Sequence, residues 1–268
     1  HGELSEPSDS EKRILTDDEL SSGIRLACCT YALGGCTIEG GTPVNEERIV
    51  TDSDLTDLEL RPRFKRYGAS FDVGTTTVAA KLFDTRGNLI AQAGDINPQQ
   101  QQGADVISRI ESALCGHADE LAEAIRSKID ELILKLAHIA HIDPMDIDAT
   151  VITGNSVMLS LLTKQSVEPF SHAPFKIERS FGETVSAAAL GLTSLSPESE
   201  IYLPPCISAF VGADITCAIL ASDLRRESCA ILADIGTNGE IALINGDKLC
   251  VCSTAAGPAF EGGGIHQG

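Results

Sequence analysis

Two stretches of this chain set the same chemistry-bearing residues in the same order. Residues 71–84 read FDVGTTTVAAKLFD and residues 232–243 read LADIGTNGEIAL. Each runs from an apolar segment through Asp-x-Gly-Thr into a second apolar segment. Gly74 and Gly236 carry no Cβ, so the backbone there can approach an anion closely. Successive N–H groups in such a turn, with the hydroxyls of Thr75, Thr76, Thr77 and Thr237, can donate to phosphate oxygens. Asp72 and Asp234, at the strand ends, suit a Mg²⁺ ion held through its own waters, and Asn238 extends the second donor set. A single copy is also an ordinary β-hairpin turn. Two copies with the acid at the same offset argue against coincidence and for two turns that grip a phosphate chain from both sides. Neither stretch is a GxxxxGK[ST] loop or a GxGxxG turn, which disfavours the folds those motifs belong to.

The surrounding text supplies elements to hold these turns. Residues 67–94 read as a β-meander with a second turn at DTRGN. ADVISRIESAL and ADELAEAIRSKIDELILKLAHIA carry apolar residues at i, i+3, i+4 and i+7, the amphipathic helix period. DATVITG reads as a buried strand, NSVMLSLLT as a helix after it, and a further helix starts near Ala213. Residues 229–257 repeat the meander. Nearer the start, Thr16 with Glu19 three residues on is a capping box for a short helix. Short strands follow within residues 26–40, and polar, Pro-bearing text up to Lys65 reads as a linker. Strands feeding helices, with the meander duplicated, point to an α/β protein of two related halves.

Composition narrows the function classes. The 268 residues carry a formal charge of −19, which speaks against nucleic acid as a partner because a phosphate backbone attracts clustered Lys and Arg. The chain is 43% hydrophobic with no Trp, so its core must be aliphatic. No apolar run has the ~18 residues that would span a bilayer, and no secretory h-region opens the chain. The absence of an initiator Met and the Gly-rich ending read as a fragment of a cytoplasmic protein. Nine cysteines, mostly in apolar text, read as reduced core thiols, with Cys250 and Cys252 on one face of a strand. His138 and His141 lie i, i+3 on a helix with no acidic third ligand, and read as surface or boundary residues.

The two turns resemble the phosphate-1 and phosphate-2 motifs of the acetate/sugar kinase, Hsp70 and actin superfamily. In order along the chain, INPQQQQGADVISRI, TGNSVMLSLL, HAPF, LPPCISAFVGADI, DIGTNGEIAL and AAGPAFEGGGI resemble the reductive activators of corrinoid-dependent enzymes. The resemblance implies an α/β, ribonuclease H-like fold of duplicated halves, the second truncated. Before them it implies the β-grasp remnant of a ferredoxin-like domain. Its divisions would be the ferredoxin remnant at 1–40, a linker at 41–66, the first half of the ATPase module at 67–226 and the start of the second half at 227–268. RLACC matches the segment carrying the last cluster cysteine, so Cys28 is by carry-over a [2Fe–2S] ligand, while Cys29 and Cys36 match no ligand position. Three upstream cysteines at C-x₄-C-x₂-C spacing are not present in this sequence.

The resemblance implies ATP, Mg²⁺ and a [2Fe–2S] cluster as cofactors. It implies a corrinoid protein of a methyltransferase system and an upstream electron donor as partners, and leaves a homodimer open. On it, Asp72, Gly74, Thr75, Thr76, Asp234, Gly236, Thr237 and Asn238 bind the ATP phosphates and Mg²⁺. Gly154 and Asn155 line the cleft, with a turn and helix cap as the competing reading. Asp214 orients water for hydrolysis, against the plainer role of a helix N-terminal acid. Asn97, Gln99 and Asp105 form a polar loop facing the cleft or a partner, and Glu240 divides between site and structure. Three rivals stay open: a small-molecule kinase of the same superfamily, a non-catalytic actin-like scaffold, and an activator of the 2-hydroxyacyl-CoA dehydratase type. The ferredoxin-like segment weighs against the first and the last.

Overall fold

The computed structural model describes residues 2–8, 11–26, 29–37, 63–222 and 224–255, and Cys28 lies outside them. The chain divides into two compact units, residues 1–46 and 47–268.

In the first unit β1 (Gly2–Leu4) is followed by α1 (Glu11–Ile14), α2 (Asp17–Ser21) and β2 (Ala32–Cys36), which pairs antiparallel with β1. The Thr16 hydroxyl accepts from Glu19 N while the Glu19 carboxylate accepts from Thr16 N, forming the capping box read from the sequence. Glu11 is fully buried. It accepts from Arg25 Nε at 2.9 Å, Leu26 N at 3.1 Å and Thr30 Oγ1 at 3.0 Å. The Arg25 guanidinium, with the Ser8 backbone N–H next in weight, holds the Glu11 carboxyl well below the usual range.

The second unit begins with the predicted meander: β3 (Tyr67–Val73), β4 (Thr77–Asp84) and β5 (Leu89–Ile96). Then come α3 (Val106–Ser112), a wide turn at Ala113–His117 with Gly116 at φ 106°, and the long α4 (Ala118–Ala140). β6 (Ile147–Gly154) runs parallel to β3, and α5 (Ser156–Leu162) follows. β7 (Glu183–Ser186), α6 (Ala187–Leu190) and β8 (Glu200–Leu203) complete a six-stranded mixed sheet in the order β5-β4-β3-β6-β8-β7. α7 (Ala213–Ala221) leads into the second meander, β9 (Cys229–Ile235), β10 (Asn238–Asn245) and β11 (Lys248–Ala255), an antiparallel sheet ordered β11-β10-β9.

One face of the large sheet is the core. Phe71, Val73, Val78, Leu82 and Ile152 pack there with Leu121, Ile125, Ile129, Leu132 and Leu136 of α4 and with α5. The period-2 alternation of β3 and β4 and the 3.6 period of α4 aim these side chains at one another. α7 packs against β6 and β10. Its Ile215 and Ile219 form a second core with Ala242, Ile244 and the flanking Ala230 and Leu232.

The cysteines depart from expectation. Cys206 is buried and Cys217 half-buried, but Cys115, Cys229, Cys250 and Cys252 are exposed. Cys250 and Cys252 do share a face of β11, as alternation requires. That face lies opposite the one carrying Ala242 and Ile244 across the ladder, because Leu243 pairs with Cys250 and Ile241 with Cys252. Apolar neighbours in sequence did not reveal which side of the strand is covered.

Candidate functional site

The two Asp-x-Gly-Thr turns meet. Thr76 Oγ1 and Thr237 Oγ1 lie 2.8 Å apart across 161 residues of sequence. Thr75, only 4% exposed, receives two amides on its hydroxyl: Asn155 Nδ2 at 3.3 Å and Asn238 Nδ2 at 3.4 Å. Thr75, Thr76, Thr237, Asn238 and Asn155 thus form one hydrogen-bonded set drawn from three separate segments.

Close backbone packing makes this possible. A Cβ on Gly74 would lie 2.8 Å from Thr77 O, and one on Gly154 would lie 2.7 Å from Val73 O. A Cβ on Gly212, at the start of α7, would sit 2.3 Å from the Asn155 Cα. Gly154 therefore brings the start of α5 against β3, and Gly212 brings the start of α7 against α5. Asn155 serves both roles weighed for it. Its Oδ1 caps α5, accepting from Val157 N at 3.0 Å and Met158 N at 2.9 Å, while its amide reaches Thr75.

The two turns are not identical copies. The first hairpin closes at Val73↔Val78, so residues 74–77 form its turn. The second closes at Ile235↔Gly239, so residues 236–238 form its turn, with Gly236 N donating to Asn238 O. This shift makes Asp234 and Glu240 a directly opposed pair, whereas Asp72 faces Ala79. Like charges directly opposite across a ladder repel.

Four acids consequently influence one another. Asp72 keeps exposed surface, yet desolvation by the protein around it, then Asp214 and Asp234, push its carboxyl up to about 7. Burial, then Asp234, raises Asp214 to about 6. Glu240 is 5% exposed; burial, then Asp214 and Asp234, raise it to about 7, while Ser253 Oγ donates to it at 3.2 Å. Among the described residues no three His, Cys, Asp or Glu side chains converge closely enough to hold a bare metal ion. The acids instead suit a hydrated divalent cation, which keeps several of its waters and is attracted by their combined charge. The donor set therefore fits Mg²⁺ held mainly through water.

The polar loop does not face outward. Asn97 and Gln99 are fully buried behind the first turn, with Asn97 Nδ2 on Gly74 O at 2.8 Å and Gln99 Nε2 on Leu121 O at 2.9 Å. Gln100 Nε2 reaches Thr76 O at 3.1 Å. Asp105 caps α3 and borders a cavity of about 430 Å³ beside the turns. Asn155, Thr237 and Asn238 form its polar edge, and Val106, Ile107, Phe175 and Phe210 its apolar wall. Phe210 is held at φ 63° with its N–H on Ser156 Oγ, and meets the Phe175 ring edge-on at 5.2 Å. Neither Phe210 nor Arg109, which is buried behind the first turn, carries a signal in the sequence: each stands in ordinary apolar or amphipathic text.

Comparison with known proteins identifies the family. Residues 67–227 match the family model described as the RACo middle region, and residues 228–268 match the C-terminal, ASKHA domain of RACo. The chain belongs to the RACo family. Its fold is that of the actin, Hsp70 and sugar kinase superfamily. Over 209 residues it is 39% identical to the corrinoid activation enzyme RamQ of Eubacterium limosum, covering 75% of this chain and 34% of RamQ. It is 26% identical over 211 residues to the [Co(II) methylated amine-specific corrinoid protein] reductase of Methanosarcina barkeri, covering 75% of this chain and 38% of the reductase. A solved reductive activator for a corrinoid, iron–sulfur protein superposes with a TM-score of 0.72 at 34% identity, over 76% of this chain and 33% of that one. The chain thus spans about a third of the length of these relatives. Among the described residues no helix is long and apolar enough to cross a membrane.

Proposed function

We propose that this chain supplies the phosphate-gripping part of an ATP-dependent reductive activator of a corrinoid protein. The proposed whole protein works in the cytoplasm with a methyltransferase system and an upstream electron donor. The uphill transfer of one electron from a reduced [2Fe–2S] cluster to a Co(II) corrinoid, giving Co(I), would be coupled to ATP binding and hydrolysis through closure of the two halves. The observation that carries the reading is the hydroxyl contact of Thr76 with Thr237, which joins the two glycine turns into one donor surface. The names of RamQ and of the methylamine-specific reductase support the corrinoid protein as partner.

The residues divide the work. The turns at Gly74 and Gly236 present backbone N–H groups and hydroxyls to a phosphate chain. Asp72 and Asp234 hold Mg²⁺ through water. Asp214, at the start of α7, would orient an attacking water or accept its proton, and its raised carboxyl supports that role. A [2Fe–2S] cluster takes four ligands; Cys28 would supply one, and the other three would come from outside the residues of this chain.

The test uses the full-length protein, anaerobic and with its cluster reduced, mixed with candidate corrinoid proteins. The Co(II)-to-Co(I) absorbance change should require ATP. No ATP effect with any methyltransferase corrinoid protein, or phosphorylation of a sugar or acid, overturns the reading.

A further inference from the structure

Behind the first turn, three successive carbonyls are tied down on one side. Gly74 O accepts from Asn97 Nδ2 at 2.8 Å. Thr75 O accepts from Arg109 Nη2. Thr76 O accepts from Asn97 N at 2.8 Å and from Gln100 Nε2 at 3.1 Å. The peptides of this turn are trans. In a planar trans peptide the C=O of one residue and the N–H of the next point in opposite directions. Fixing the carbonyls of Gly74, Thr75 and Thr76 therefore turns the N–H groups of Thr75, Thr76 and Thr77 to the other side.

Arg109 is central to this arrangement. It is fully buried, and its planar fork also donates through Nε to Gly103 O at 2.9 Å and through Nη1 to Gln99 Oε1 at 3.2 Å. Nη1 additionally approaches Met158 Sδ at 3.1 Å, next to the Asn155 cap. It ties α3, the loop before it and α5 to a single backbone carbonyl of the turn. It also sets a fixed positive charge behind a row of peptide dipoles whose positive ends then face away from it. In a chain of net charge −19, with Asp72, Asp214, Asp234 and Glu240 repelling one another, such a charge favours an incoming polyanion.

We propose that Arg109, with Asn97 and Gln100, is the positioning residue of the first phosphate turn, holding its carbonyls back so that its N–H groups meet the triphosphate. None of the three need touch the nucleotide. The inference rests on the reading of this cleft as a nucleotide site.

Titration calorimetry on the full-length protein compares Mg-ATP with adenosine, which lacks the phosphates. Arg109→Lys keeps the charge and cannot span the same acceptors. It should raise the Kd for Mg-ATP about tenfold or more and leave adenosine within about twofold, since several charge-assisted bonds are lost. Gln100→Met removes one bond at a half-buried position and should shift Mg-ATP in the same sense by about threefold, with unchanged melting. If Arg109→Lys unfolds the protein, Gln100→Met decides. Parental Mg-ATP affinity in the variants, or equal losses for Mg-ATP and adenosine, overturns the positioning role. A parent protein that binds no Mg-ATP overturns the cleft reading, and this inference falls with it.

Discussion

The hydroxyls of Thr76 and Thr237 touch at 2.8 Å although they come from separate sheets. Neither hairpin alone would place its threonine there. The contact depends on α7, which packs its apolar face on β10 and also lies against β6. It depends equally on Gly212, where any side chain would collide with Asn155. The contact therefore reports the relative placement of the two turns, which is what a grip on one phosphate chain requires.

Thr76→Val and Thr237→Val each remove one hydroxyl with little change of shape. An ordinary hydrogen bond is worth about 1 kcal/mol, so each change should weaken Mg-ATP binding to the full-length protein by about fivefold. Because the two hydroxyls share one bond, the double variant should lose less than the sum. A double-mutant cycle by calorimetry checks this, with a coupling of about 0.5 kcal/mol or more expected. Strict additivity would mean that the contact does not join the turns.

Asn155 separates capping from binding. Asn155→Asp keeps an oxygen that caps α5 as well as Asn does, but removes the amide that donates to Thr75 and adds a negative charge beside the site. Melting should stay close to the parent while the Kd for Mg-ATP rises about tenfold or more. Asn155→Ala should also lose about 1 kcal/mol of stability with the cap. Equal losses of stability in both variants would point to a cap alone.

Much of this was legible from residue type and spacing. The glycine turns, the meanders, the amphipathic α4 and the Thr16 capping box follow from local periodicity and local hydrogen bonding. So does the start of α7 at Ala213. What escaped depends on pairing across the chain. The shift that opposes Asp234 to Glu240 is a matter of ladder register, and FDVGTTT beside ADIGTNG suggests equal turns. Asn97 and Gln99 read as a polar loop facing the cleft or a partner, whereas they are buried and donate to the carbonyls of Gly74, Thr76 and Leu121. Arg109 sits in an amphipathic helix where an arginine ordinarily marks the wet face. β7, α6 and β8 were not read from the text at all: each spans only four residues, too few for a period to show.

The raised carboxyls make stability fall as pH rises. Asp72, Asp214 and Glu240 keep protons in the folded state, up to about 7, 6 and 7, where the unfolded chain has already released them. Stability then decreases from the ordinary carboxylate range up to about pH 7 and levels off above it. Glu11 acts in the opposite sense, but its lowered carboxyl contributes fully above the ordinary carboxylate range, so it does not mask the effect. Melting followed from about pH 5 to about pH 8 should show the decline, and Mg²⁺ should raise Tm more at the upper end. Asp72→Asn should flatten the profile. A profile that rises over this window would contradict the mutual repulsion of the acids.

Asp214 and Glu240 can be told apart by the step each affects. Asp214 lies in the first turn of α7, and its carboxyl accepts local backbone bonds, among them one from Ile215 N at 2.8 Å. Glu240 is buried across the ladder from Asp234 and held by Ser253. If Asp214 orients or deprotonates water, Asp214→Asn should lower ATP turnover by about a hundredfold or more while the Kd for Mg-ATP stays within about threefold. Glu240→Gln relieves the repulsion without removing a group aimed at the phosphates. It should raise Tm at neutral pH and keep turnover within about threefold of the parent. Phosphate release under single-turnover conditions, with calorimetry for binding, separates the two. A large turnover loss in Glu240→Gln beside a normal Asp214→Asn would exchange their roles and move the hydrolytic water to the β9–β10 side of the cleft.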